Sequence, residues 1–167
     1  MVVEIHGGPH LAYGPFFSAE LQLLAAAGYV VFYDNYRGST SYGTDFALLL
    51  QYKYSSPDDF ADHVSGLDAL IAKGFVDPAN QFIAGGSAGG IGTAYAIGLT
   101  DRFNAAVAAK PVVNWISKTL TADSSVGQIH RQFPAPPWEA FEHYWQRSPL
   151  SLVGNMTTPT LLITGEH

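Results

Sequence analysis

Two spacings of apolar residues alternate along this chain. Short, largely apolar runs occur at Val2–Ile5 (which carries Glu4), 29–33, 81–84, Ala105–Ala109 and 160–164, and turn-forming residues bound most of them. Continuous runs of this length read as strands buried on both faces. Between them lie longer segments with helical periodicity. Residues 18–27 predict a helix with Ser18 as its N-cap, Glu20 in the first turn and Gly28 as its stop. Ser56-Pro57-Asp58-Asp59 is a helix start, with a capping hydroxyl, a proline at the first helical position and carboxylates at the positive dipole end. Phe60, Val64, Leu67, Leu70 and Ile71 then recur on one stripe until Gly74. Ala88–Leu99 predicts a helix of small residues. Strands alternating with helices predict an α/β fold: a mostly parallel sheet with right-handed crossovers and helices on both faces.

The segment 114–147 breaks this rhythm. It holds Trp115, Phe133, Trp138, Phe141, Tyr144 and Trp145 around a proline-rich stretch. It is too long for a simple connection and is expected to be an aromatic-rich insertion, lining a pocket or packing. At 167 residues the chain is long enough for one domain with a real core. A net charge of −6, with Lys and Arg scattered, argues against nucleic acid as a partner. No apolar run is long enough for a membrane helix, and the first residues lack a basic region and a cleavage site. Membrane binding is not expected, and compartment and oligomeric state stay open. Without cysteine there is no disulfide, thiolate metal site or Cys nucleophile.

The chemistry gathers at Gly85-x-Ser87-x-Gly89, which follows a predicted strand and opens a predicted helix. That context fits a nucleophile elbow, where a sharp strand-to-helix turn lifts a serine hydroxyl above the sheet. The alternative is a tight turn whose serine merely caps the helix. His6-Gly7-Gly8-Pro9, at the end of the first strand, could give an oxyanion hole its second backbone donor, with Gly8 as the candidate beside the N–H of Ala88. His6 either orients that loop by hydrogen bonding or is a satisfied core histidine. Arg37 either braces the neighbouring loop or meets a substrate carboxylate. Asp58, Asp59 and Asp62 read as a solvated helix start rather than a metal site, and no cofactor is called for.

Several segments together resemble the prolyl oligopeptidase family, in its acylaminoacyl-peptidase and dipeptidyl-peptidase-like branch. They are H-G-G-P-H, D-N-Y-R-G-S-T-S-Y-G, A-K-G-F-V-D-P, G-G-S-A-G-G, D-R-F-N-A-A-V-A-A-K-P-V-V-N-W and the stretch from Ser148 to His167. The resemblance implies an α/β-hydrolase fold and a serine peptidase acting on short or N-blocked peptides. Ser87 would be its nucleophile, with the N–H groups of Gly8 and Ala88 holding the oxyanion. It also implies a triad Asp immediately beyond His167, a triad His further on, and a β-propeller ahead of this domain. Residues 1–167 are therefore expected to be part of a catalytic domain, with the sheet incomplete at its edges and the isolated piece inactive. Asp123 with His130, His143 or His167 would satisfy the chain order Ser, acid, His, but the family pattern does not support it. A carboxylesterase of the same fold and an inert truncated hydrolase are the alternatives.

Overall fold

The computed structural model describes residues 1–165. In chain order the elements are β1 (Val2–Ile5), α1 (Ala19–Ala26), β2 (Val31–Tyr33), α2 (Thr44–Leu48), α3 (Pro57–Ile71), β3 (Phe82–Gly86), α4 (Ala88–Leu99), β4 (Ala105–Ala109), α5 (Trp115–Thr121), α6 (Ser125–Gln132), α7 (Phe141–Gln146), a 3-10 segment (Pro149–Asn155) and β5 (Thr160–Ile163). The strands form one parallel sheet in the order β2-β1-β3-β4-β5. From β1 the chain moves outward to β2, then crosses back past β1 to β3 and continues the other way. The order therefore reverses between β1 and β3. In open α/β sheets the crevice at the carboxyl ends of such neighbouring strands is where ligands bind.

The two faces of the sheet are covered unequally. On one face Val3, Ile5, Ile83, Ala106 and Ala108 are buried beneath α4, whose residues Ala88 to Gly98 are all buried. A helix apolar all round must be enclosed, and α4 is wedged between the sheet, α3 and the 3-10 segment. The opposite face carries α1 over β2, and α1 has no buried residue. A cleft of about 520 Å³ opens there, lined by Val2, Glu4, Leu23, Phe82, Ala84 and Val107 among others. The expected helices on both faces are present, with the α1 side far less covered. β5 is exposed along its whole length.

Glu4 sits in the middle of β1 on that poorly covered face. It is only 7% exposed, and its Oε2 has no hydrogen-bond partner among the described residues. Burial, reinforced by the charge of Glu20, pushes its carboxyl up to about 7. The folded value lies above the ordinary 4.5, so proton binding favours the fold. Stability from this group is intact below about pH 4.5 and is lost as pH rises through 7, by on the order of 3 kcal/mol at most. In urea unfolding of this chain, Glu4→Gln is expected to gain stability over the parent at pH 8 and to match it near pH 4. Equal differences at both pH values would contradict the assignment.

One sequence expectation needs correction, that of Asp59, and two segments show structure beyond the sequence reading. Helix α2 was not anticipated, because its five residues are too few to show a period. Asp59 is not solvated: it is 3% exposed and its Oδ1 accepts from Ser56 N–H at 2.7 Å and from Ser56 Oγ at 2.6 Å. Burial raises its carboxyl to about 6 against those bonds. The segment 114–147 forms α5, α6 and α7, and its aromatics divide. Trp115, Phe133 and Tyr144 pack as core, with Phe133 and Tyr144 stacked at 3.8 Å, whereas Trp138 and Phe141 are exposed.

Candidate active site

The loops after β1, β2 and β3 meet at the carboxyl end of the sheet. Ser87 stands between β3 and α4 with φ 58° and ψ −118°, a conformation rarely adopted by a residue with a Cβ. The turn is held from both sides. Ser87 N–H donates to Ala109 O at 2.8 Å, and Ser87 O accepts from Ile91 N–H at 3.0 Å. The side chain, by contrast, is exposed. The flanking glycines are required by backbone contact. A Cβ on Gly89 would lie 1.9 Å from Ile5 O, one on Gly90 2.4 Å from Ala109 O, and one on Gly85 2.5 Å from Gly89 O. The start of α4 thus rests directly on the main chain of β1, β3 and β4.

The glycine turn after β1 lies against the same point. A Cβ on Gly7 would be 3.1 Å from Gly86 O, 3.5 Å from Ser87 Cβ and 4.0 Å from Ala88 N. Gly8 follows with φ 121° and is exposed. The structure therefore brings Ser87, Ala88 and the Gly7-Gly8 turn together. Neither Gly8 N–H nor Ala88 N–H donates to an acceptor among the described residues.

His6 is buried at 7% exposure, and desolvation lowers its pKa despite its bond to Gly7 O. Its Nδ1 lies 2.7 Å from Gly7 O and its Nε2 2.9 Å from Ser39 Oγ. A carbonyl only accepts, so the neutral ring carries its proton on Nδ1 and donates to Gly7 O. The single Ser39 hydroxyl proton is then shared between His6 Nε2 at 2.9 Å and Tyr36 O at 2.7 Å, and that carbonyl receives Ser39 N–H at 3.0 Å as well. Gly7 O and Gly8 N–H belong to one planar trans peptide and point opposite ways. Holding the carbonyl toward His6 turns the Gly8 N–H away from it.

Arg37 lies on the loop after β2 and faces α3. Its Nε donates to Asp62 Oδ2 and its Nη2 to Asp62 Oδ1, both at 2.8 Å, with Asp58 at 3.6 Å from Nη1. The hydrogen bonds to Asp62 raise the guanidinium pKa further. His10 Nδ1 lies 2.9 Å from Gly38 O and ties the β1 and β2 loops together. His63 bonds Asp34, and His143 bonds Arg147. Asp123 is exposed, and His167 lies outside the described residues. Residues passed over in the sequence also crowd this end. Tyr36 Oη donates to His6 O at 3.1 Å, Ser39 is fully buried, and Tyr54 Oη donates to Ala88 O. Nothing in their spacing marks them, apart from the aromatic in Asp34-Asn35-Tyr36-Arg37. The 520 Å³ cleft does not reach Ser87, which stands at the carboxyl end of the sheet, away from that face.

The profile of the prolyl oligopeptidase family matches residues 15–167. The uncharacterized peptidase YuxL of Bacillus subtilis (strain 168) is 38% identical over 168 residues, covering 100% of this chain and 25% of the relative. Among solved structures, the uncomplexed acylaminoacyl peptidase of Pyrococcus horikoshii superposes with a TM-score of 0.93 at 32% identity, covering 98% of this chain and 27% of that one. An acylaminoacyl peptidase in complex with Z-Gly-Gly-Phe-chloromethyl ketone gives a TM-score of 0.92 at 33% identity, covering 98% of this chain and 26% of that one. The chain thus spans about a quarter of the length of these proteins.

Proposed function

Because the chain belongs to the prolyl oligopeptidase family, we propose that it carries the nucleophile and oxyanion hole of a serine peptidase acting on short or N-blocked peptides. The observation that carries this is the contact between the Gly7-Gly8 turn and Ser87, made where the strand order reverses. Ser87 Oγ attacks the scissile carbonyl and its proton passes to a histidine base. The carbonyl oxygen becomes an oxyanion between the N–H groups of Gly8 and Ala88. Collapse expels the amine, which takes the proton back from the histidine, and leaves an acyl group on Ser87. Water then attacks with the same base, releasing the acid and restoring the hydroxyl. His6, His10, His63 and His143 are engaged elsewhere, His130 is exposed on α6, and no histidine among the described residues is hydrogen-bonded to Ser87. The base and its acid partner therefore belong to sequence outside the described residues, and residues 1–167 act as part of a catalytic domain.

His6 has an orienting role in this scheme, fixing the Gly7-Gly8 peptide, and Arg37 braces the adjoining loop on α3. The peptide substrate is supported by the neighbouring structure that holds a peptidyl chloromethyl ketone. The test is covalent. The full-length protein is incubated with a fluorophosphonate, and the adduct is located by peptide mass spectrometry. One adduct on Ser87, blocked by prior treatment with an N-acyl-peptidyl chloromethyl ketone, is the expected result. An adduct on another serine, or none, would falsify the assignment.

A further inference from the structure

We propose that Tyr36, held from behind by the Asp34–His63 pair, is a positioning residue for the oxyanion hole; this rests on the reading of Ser87 and Gly8 just given. Tyr36 is 1% exposed, yet its hydroxyl is not wasted in the core, since Oη donates to His6 O at 3.1 Å. Its ring stacks on the His6 imidazole with centroids 4.6 Å apart and planes 27° apart. Its carbonyl accepts Ser39 N–H at 3.0 Å, which holds the Ser39 Oγ 2.9 Å from His6 Nε2. Tyr36 therefore constrains His6 at the main chain, at the ring face and, through Ser39, at the far ring nitrogen. Only Nδ1 is left, and it holds Gly7 O. With the ring fixed on three sides, the plane of the Gly7-Gly8 peptide is fixed too.

Tyr36 is backed in turn. The His63 ring lies 4.9 Å from it, is 2% exposed and projects from α3. His63 Nδ1 sits 2.9 Å from both oxygens of Asp34, two residues before Tyr36. The pair ties the end of β2 to α3, and Arg37 ties the other side of Tyr36 to Asp62 of the same helix. Tyr36 is thus clamped between two anchors on α3. Donors fixed before reaction stabilise an oxyanion without reorganising, so looseness here weakens transition-state binding more than substrate binding.

The experiment uses the full-length protein with an N-acyl-aminoacyl anilide and, separately, a peptide boronic acid that mimics the tetrahedral state. Tyr36→Phe keeps the ring and removes only the hydroxyl. It is expected to lower kcat by about tenfold with KM within about twofold, and to weaken the boronic acid by a similar factor, well short of the roughly 100-fold or more of a lost oxyanion donor. Asp34→Asn, which can still bond His63, is expected to retain more activity than Asp34→Ala. Ser87→Ala is run alongside. If it stays active, the nucleophile assignment fails. If it is inactive while Tyr36→Phe keeps the parent kcat and inhibitor affinity, the positioning role alone is overturned. A Tyr36→Phe that raises KM at unchanged kcat overturns it equally.

Discussion

Ser87→Ala in the full-length protein is expected to lower kcat for amide hydrolysis by about four to six orders of magnitude. The residual rate comes from the oxyanion hole and binding, so KM should change little. A remaining rate within about tenfold of the parent would assign the chemistry to another residue. The same position makes a stability prediction. At φ 58° and ψ −118° a side chain costs about 1–3 kcal/mol. Ala inherits the strain, so Ser87→Ala should melt with the parent. Ser87→Gly relieves it, against roughly 1 kcal/mol of added unfolded-state freedom. An inactive Ser87→Gly that is more stable than Ser87→Ala by about 1 kcal/mol is the expected result. One that melts lower shows that the turn is not strained.

Gly89→Ala is expected to be the most destabilising change at the elbow that leaves Ser87 itself in place. The new Cβ would stand 1.9 Å from Ile5 O and 2.8 Å from Ile5 C, which are strand backbone and cannot rotate away. Helix α4 would have to lift off β1, and with it the buried contacts of the whole helix. The helical preference for Ala over Gly returns only about 1 kcal/mol. Overpacking against rigid backbone costs about 3 kcal/mol or more, so the clash wins. Gly86→Ala is the control, because nothing lies within 4 Å of its Cβ position and its φ is ordinary. Urea unfolding should show Gly86→Ala within about 1 kcal/mol of the parent and Gly89→Ala far below it or insoluble. If the two variants have equal midpoints, the backbone contact does not govern the elbow.

Much of this was legible in the residues. The runs at Val2–Ile5 and Ala105–Ala109 were legible as strands from their short apolar length between turn residues, although four alanines and Glu4 have no strand preference of their own. Ser18, Pro57 and Gly28 marked helix ends through local chemistry that needs no tertiary partner. The elbow was visible because Gly-x-Ser-x-Gly sits between a strand run and a helix run, although the contacts that require Gly89 and Gly90 are with the distant main chain of Ile5 and Ala109. What could not be read depends on contacts across the sequence. The carboxylate of Asp59 looked solvated because its burial is decided by elements far along the chain. Tyr36 looked like any loop aromatic until β1 and β2 were paired, since only that pairing puts its hydroxyl under His6 O. The thin cover on the α1 side was likewise invisible, because an apolar strand reads the same whether a helix covers it or not.

The central place of β1 bears on how the molecule is made. Among the described residues it precedes every other strand, yet it lies between β2 and β3, and Met1 N is bonded to Asn80 O, 79 residues later. On the ribosome, β1 must wait with one edge open until β3 has been synthesised. An apolar strand with a free edge is a template for aggregation, and a charge within it is a gatekeeper against self-pairing. In the unfolded chain the Glu4 carboxyl titrates in the ordinary carboxylate range and is ionised at neutral pH. That charge is placed to oppose self-pairing of the waiting strand, and in the finished fold burial on the α1-side face turns the same charge against stability.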